Sequence, residues 1–173
     1  MPQIHSKGPV PRLLGVTCFS IAVLSLLCGC SSFESRWKAA GETTPAVPHN
    51  LEGRWQGSWT SEGDGHTGGL RCIITHKQDD IYLADFHATF WNIFQFGYSI
   101  DLKATEVSPT RYQFSGDSDL GWLAGGNYHY EGTAEVAGDS KTDAFNCTYK
   151  SSADHGRFDM MRPPGPTSAP ASP

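Results

Sequence analysis

The chain has 173 residues, 18% of them charged and 12% aromatic, with 13 Lys and Arg against 18 Asp and Glu for a formal net charge of −5. That length holds one domain with flanking segments. The acidic balance leaves no basic face for a phosphate backbone, which excludes nucleic-acid binding as a leading reading. The 19 Gly among many rings point to a β-rich globular chain, neither coiled coil nor disordered.

The first element is an address. Residues 1–12 are polar and carry Lys7 and Arg12, and Leu13 to Leu27 then run fifteen residues without a charge. A helix of that length spans ~22 Å, short of the ~30 Å hydrocarbon core. The pattern therefore reads as a signal peptide over residues 1–29 and not as a membrane-spanning anchor.

The apolar run closes on Leu27-Cys28-Gly29-Cys30-Ser31. This resembles the bacterial lipobox, with Leu27 at −3, Gly29 at −1 and Cys30 as the new first residue. The resemblance implies cleavage before Cys30, a diacylglycerol thioether on its sulfur and a fatty acyl chain such as palmitate on the new amine. Cys28 departs from the usual Ala, Ser or Thr at −2; an ordinary secretory signal cut near Cys30 is the alternative. Several acyl chains make a stable anchor where one would be marginal. Ser31, in place of Asp, resembles the lipoproteins sorted to the outer membrane. The implied location is its periplasmic face, with the inner membrane or secretion as alternatives. Loss of residues 1–29 leaves 11 basic and 18 acidic residues, a net charge of −7. Such a compartment is oxidising.

Residues 30–50 follow as the lipidated Cys and a flexible tether, since Pro45, Pro48 and small residues break any sustained period. Fully extended, twenty residues reach ~65–70 Å. Phe33 and Trp37 in it are expected to bury at the lipid surface or against the domain. Residues 163–173, PPGPTSAPASP, read as a disordered, polyproline-like tail.

Between them, residues 51–162 alternate with period two. Trp55, Gly57 and Trp59 share one face; then Leu70, Cys72 and Ile74; then Tyr82, Ala84, Phe86, Ala88 and Phe90. Phe94, Phe96, Tyr98, Ile100 and Leu102 form the clearest run, followed by Tyr112 and Phe114, by Tyr128, Tyr130, Gly132, Ala134 and Val136, by Phe145, Cys147 and Tyr149, and by Phe158, Met160 and Arg162. Turn residues such as Gly63-Asp64-Gly65, Gln78-Asp79-Asp80 and Gly125-Gly126 punctuate the segments; the join at Trp91-Asn92-Ile93 is weak, and strands three and four read equally as one bent strand. Clean alternation means antiparallel strands with one buried and one wet face. The expected fold is all-β, an antiparallel up-and-down barrel of about eight strands, with a β-sandwich as the alternative.

Gly53-Arg54-Trp55 opens the first strand and Arg162 ends the last. Together they resemble the calycin group of lipocalins, fatty-acid-binding proteins and avidins. The resemblance implies that Trp55 packs beneath Arg162 and closes one end of the barrel. A guanidinium suits that place, because it stacks on indole and donates to exposed carbonyls.

Cys72 and Cys147 are the cysteines left in the mature domain besides Cys30. An even count in an oxidising compartment favours a disulfide. Placement on strands two and seven opposes it, since two strands intervene at ~4.8 Å each and the bond needs Cα atoms within ~7 Å. The pairing stays open.

The inward rings are the functional clue. Trp59, Tyr82, Phe86, Phe96, Tyr98, Tyr128, Tyr130 and Tyr149 are candidate ligand-lining residues, because buried hydroxyls need partners that a cavity would supply. The competing reading is a filled interior. Trp91 and Trp122 are candidate exposed contacts. Asp85 with His87, and His129 with Glu131, read as solvated outer-face pairs; no His or Cys spacing forms a metal site, and no cofactor is implied. No acid, base or nucleophile converges. The expectation is a non-enzymatic, membrane-anchored lipoprotein that binds a small apolar or aromatic ligand or an envelope component. The alternative is a protein-interaction or inhibitor module with a filled barrel, similar to the small barrel lipoproteins that block lysozyme; an acidic domain suits a basic partner.

Overall fold

Alternation with one greasy face leaves a strand two ways to bury it, against a second sheet or by curling the sheet on itself; this chain curls. The computed structural model describes residues 32–42, 50–91, 94–122, 125–137 and 142–164. The signal segment, Cys30 and residues 165–173 of the tail lie outside them. The strands are β1 (Gly53–Ser61), β2 (Thr67–Gln78), β3 (Ile81–Phe90), β4 (Phe94–Ser108), β5 (Arg111–Asp119), β6 (Asn127–Glu135), β7 (Ala144–Lys150) and β8 (His155–Met161). Each pairs with the next, and β8 returns to β1 through antiparallel partners from Gln56↔Met161 to Ser61↔Gly156, closing the barrel. The sandwich alternative therefore falls. β3 and β4 are two strands of a hairpin, with Phe90 opposite Phe94.

The turns are built from residues that tolerate them. Asp79 takes a φ of 49° in the two-residue link between Gln78 and its partner Ile81, a left-handed conformation that Asp adopts more readily than most residues. Closure also demands close backbone approach. A Cβ on Gly57 would stand 2.0 Å from the Asp159 carbonyl oxygen of β8, and one on Gly132 2.1 Å from that of Asn146 in β7. Glycine in these strands is what lets the wall bend.

Trp55, Leu70, Cys72, Ile74, Phe86, Leu102, Phe114, Phe145, Phe158 and Met160 fill the interior. Each large apolar side chain taken out of water contributes about 1.5–3 kcal/mol. The outer wall is polar, as Gln95, Ser99, Asp101, Lys103 and Thr105 of β4 illustrate. Apolar inside and polar outside is the reverse of a barrel that spans a bilayer.

Two sequence expectations change. Residues 32–42, assigned to the flexible tether, form a helix, α1. And the run Phe94-Phe96-Tyr98 is not uniformly buried: Phe94 and Phe96 are 61% and 46% exposed. Period two fixes which wall a residue faces. It does not fix its height, and these two sit where the barrel opens.

Candidate functional site

The two ends of the barrel differ, and the difference locates the site. At the closed end, the Arg162 guanidinium lies 4.2 Å from the centre of the Trp55 ring. Its Nε donates to Asp143 Oδ2 at 3.1 Å, and its terminal nitrogens donate to the carbonyls of Glu52 and Asn50. Trp55 Nε1 donates to the Leu51 carbonyl at 2.9 Å. Burial pushes Arg162 below its ordinary value while Asp143 pulls it back up; with a carboxylate and carbonyls at its donors it stays a cation. The residues between Asn50 and Trp55 thereby form a plug across the bottom.

The opposite end is open. A cavity of about 520 Å³ lies there, lined by Trp59, Phe96, Tyr98, Tyr128, Tyr130 and Tyr149 among others. These are six of the eight candidate lining residues. Phe86 is inward but lower, stacked beneath Tyr98 at 5.3 Å between centroids and against Phe158 at 5.5 Å. Tyr82 is at the other end of β3, beside His76, where burial raises its hydroxyl above the ordinary phenol value and Glu52 and Glu106 add to the shift. Phe86 thus supports the cavity floor and Tyr82 takes no part in it. Leu70, Ala88, Phe90, Leu120, Asp154 and Phe158 complete the lining. Alternation marked Leu70, Ala88, Phe90 and Phe158 as inward without separating them from the deeper core. Leu120 and Asp154 lie in loops, where no parity applies.

The rings form a continuous wall. Trp59 stacks on Phe90 at 5.6 Å and 12°, and its Nε1 donates to the Thr89 carbonyl at 3.1 Å. Around the other side, Tyr98, Tyr130, Tyr128 and Tyr149 follow one another at 6.0–6.3 Å. Burial, above all, holds the hydroxyls of Tyr98, Tyr130 and Tyr149 protonated, raising each well over the ordinary phenol value. Tyr149 donates to Asp154 Oδ2 at 3.1 Å. The cavity therefore offers aromatic faces with a few neutral donors and one carboxylate at its edge.

The remaining candidates fall elsewhere. Cys72 and Cys147 are both buried free thiols; the candidate disulfide is not formed. Burial pushes the Cys147 thiol up to about 12 and Cys72 up as well. Cys147 instead donates to the Thr148 carbonyl at 3.3 Å. Asp117 pairs with His129 at 2.8 Å, and Asp119 accepts from the Gly121 amide at 2.9 Å. Trp91 and Trp122 are 63% and 86% exposed, on the loops that edge the open end.

Asp85 and His87 do lie on the outer wall, but they are buried there and not solvated. α1 covers them. Phe33 stacks on the His87 ring at 4.6 Å and 14°. Arg36 pairs with Asp85, and Glu34 accepts from Arg71. Trp37 receives the guanidinium of Arg54 at 5.3 Å. Beside α1 a hollow of about 600 Å³ runs along the outside of β1, β8 and β7, past Gln56, Asn146 and Asp159. It is larger than the mouth cavity but carries no aromatic wall, so the mouth is the better ligand site.

No protein-family model matches this chain, and neither a curated protein nor a solved structure is similar to it at a significant level.

Proposed function

We propose that this protein is a lipid-anchored, non-enzymatic binding barrel of a bacterial envelope, related in design to the calycins. Cys30 carries the acyl chains, and the open end holds a small apolar or aromatic compound on the periplasmic side of the outer membrane. The observation that carries this reading is the aromatic cavity of about 520 Å³ set above a filled and plugged lower half. A volume in the range of ~300–1,000 Å³, walled by rings with a few convergent polar groups, is the usual form of a small-molecule site. Stacking on Trp59, Tyr98 and Tyr128 would supply affinity, and the hydroxyls of Tyr130 and Tyr149 would orient a polar substituent.

The test is native mass spectrometry of the full-length lipoprotein released from detergent, beside an Ala88→Phe variant. Ala88 lines the mouth, and a ring there fills it. The wild type should retain an adduct or take up N-phenylnaphthylamine, and the variant should do neither. A wild type with no adduct and no uptake would remove the reading. It would leave the inhibitor-module alternative, which the filled lower half and the acidic rim at Glu62, Asp64 and Asp117 favour.

A further inference from the structure

We infer that the barrel sits with its open end against the bilayer that anchors it. The inference rests on the lipidated Cys30 proposed above and adds an orientation and a docking surface.

The first argument is the length of chain between anchor and barrel. A twenty-residue tether would leave the domain free to tumble. α1 removes most of it. Phe33 is fixed on His87 and Arg71, which face each other across β2 and β3. Cys30 lies three positions before Phe33, a reach of at most ~10 Å.

The second argument is direction. α1 starts beside His87, three residues from the open end of β3 at Phe90, and descends to Arg54, the second residue of β1 at the closed end. Its N-terminus therefore points at the open end. Three strand residues rise ~10 Å, so the three steps of chain from Phe33 to Cys30 are long enough to span the height from His87 to Phe90. From His87 down to the other end of β3 at Ile81 is six residues, or ~20 Å. With α1 docked, an anchored barrel standing on its closed end would have to push its lower half, polar outer wall included, into hydrocarbon.

The third argument is what the open end presents. Trp91, Phe94, Phe96 and Trp122 are large, exposed and on the same rim. The chain carries no charge from Phe90 to Ile100, and none from Leu120 to Tyr128. Trp91 is held at a φ of 51°, a conformation rare for a bulky residue, which leaves its indole outside the cavity. Uncharged loops bearing indoles are the composition of a surface that settles at the boundary of headgroups and acyl chains. The charged β1–β2 loop, with Glu62 and Asp64, stands on another part of the rim, so the barrel tilts onto the side that carries Trp91, Phe94, Phe96 and Trp122.

The experiment uses the full-length protein reconstituted in phosphatidylcholine vesicles whose acyl chains carry bromine, a contact quencher of indole emission. Intact mass reports the acyl chains, and co-sedimentation reports attachment. Quenching is expected to fall mainly on Trp91 and Trp122. The double variant Trp91→Phe/Trp122→Phe should lose most of the quenched emission, and Trp37→Phe should lose none. Both rim positions are exposed, so an unchanged urea midpoint verifies folding. Acylated, sedimenting protein whose quenching is absent or belongs to Trp37 would overturn the orientation and leave the anchor standing. A protein without acyl mass would overturn the anchor and this inference with it. A rim that self-associates would give vesicle-bound dimers with unquenched indoles, which also overturns it.

Discussion

Arg162 shows how one side chain can close a fold. It stacks on Trp55, pairs with Asp143 and donates to the Glu52 and Asn50 carbonyls. Replacing it with Met leaves the Asp143 carboxylate buried without this cation, and breaking a buried pair costs about 3–5 kcal/mol. Arg162→Met should lower the urea midpoint accordingly. Arg162→Lys should recover only part, because a point charge cannot span two carbonyls and a carboxylate. Equal stability of all three would show that the plug holds without the guanidinium. The buried thiols give a second residue-scale expectation. Cys147 ionises only near pH 12 and Cys72 is likewise raised, so neither should react with a disulfide reagent at about pH 8 in the folded protein. Both should titrate in denaturant. A chain that shows no new thiols on unfolding would mean the two are bonded after all.

At the scale of elements, the eight strands were legible in the sequence and α1 was not. Strands announce themselves because inward apolar residues alternate with polar neighbours, and the shared core rewards that pattern along the buried stretch of each strand. α1 buries only Phe33 fully, and its partner surface is a charged outer wall, not an apolar one. Its grip comes from Arg71 and Arg54 stacking on Phe33 and Trp37 and from Arg36 on Asp85. The signal in the sequence was the spacing of four between Phe33 and Trp37, with Lys38 and Glu42 spaced likewise, which is weak beside two prolines just downstream. The same blindness hid the mouth. Alternation placed all eight of its rings inward, yet Phe86 and Tyr82 obey the same parity at other heights. The helix should respond to pH. Burial under Phe33, then the Arg71 charge, lowers His87 below its ordinary 6.5, while Glu34 of α1 and Asp85 of β3 pull it back; Arg36 also faces this pair. Its Nδ1 is buried with no hydrogen-bond partner among the described residues. A base with a depressed folded pKa binds fewer protons folded than free, so docking weakens as pH falls below about 6.5. Glu34, lowered chiefly by its hydrogen bond to Arg71 from 4.5, adds a smaller loss of the same sign further down. Amide exchange of residues 32–42, corrected for the intrinsic rate, should quicken between roughly pH 7.5 and 5.5. In His87→Gln that response should vanish; an unaltered response in the variant would assign it elsewhere.

The whole molecule divides stability and binding between its ends. Below, Leu51, Trp55, Val136 and Phe145 are sealed from solvent, with Arg162 over them. Above, rings line an open cavity, and Phe96 stays 46% exposed. A cavity wall contributes less to folding than a packed core because its inner surface has no partner atoms. The two ends should therefore separate under mutation. Leu51→Ala empties a fully buried site and should cost about 2–5 kcal/mol. Retention of N-phenylnaphthylamine by the fraction that remains folded should hardly change. Phe96→Ala should cost no more than about 1 kcal/mol of unfolding free energy in urea, yet weaken dye retention, since it removes a ring from the cavity wall. Measuring both quantities on both variants gives a crossed pattern if the ends act independently. Parallel losses in each would mean that the mouth is held open by the plug, and that binding is a property of the barrel as one body.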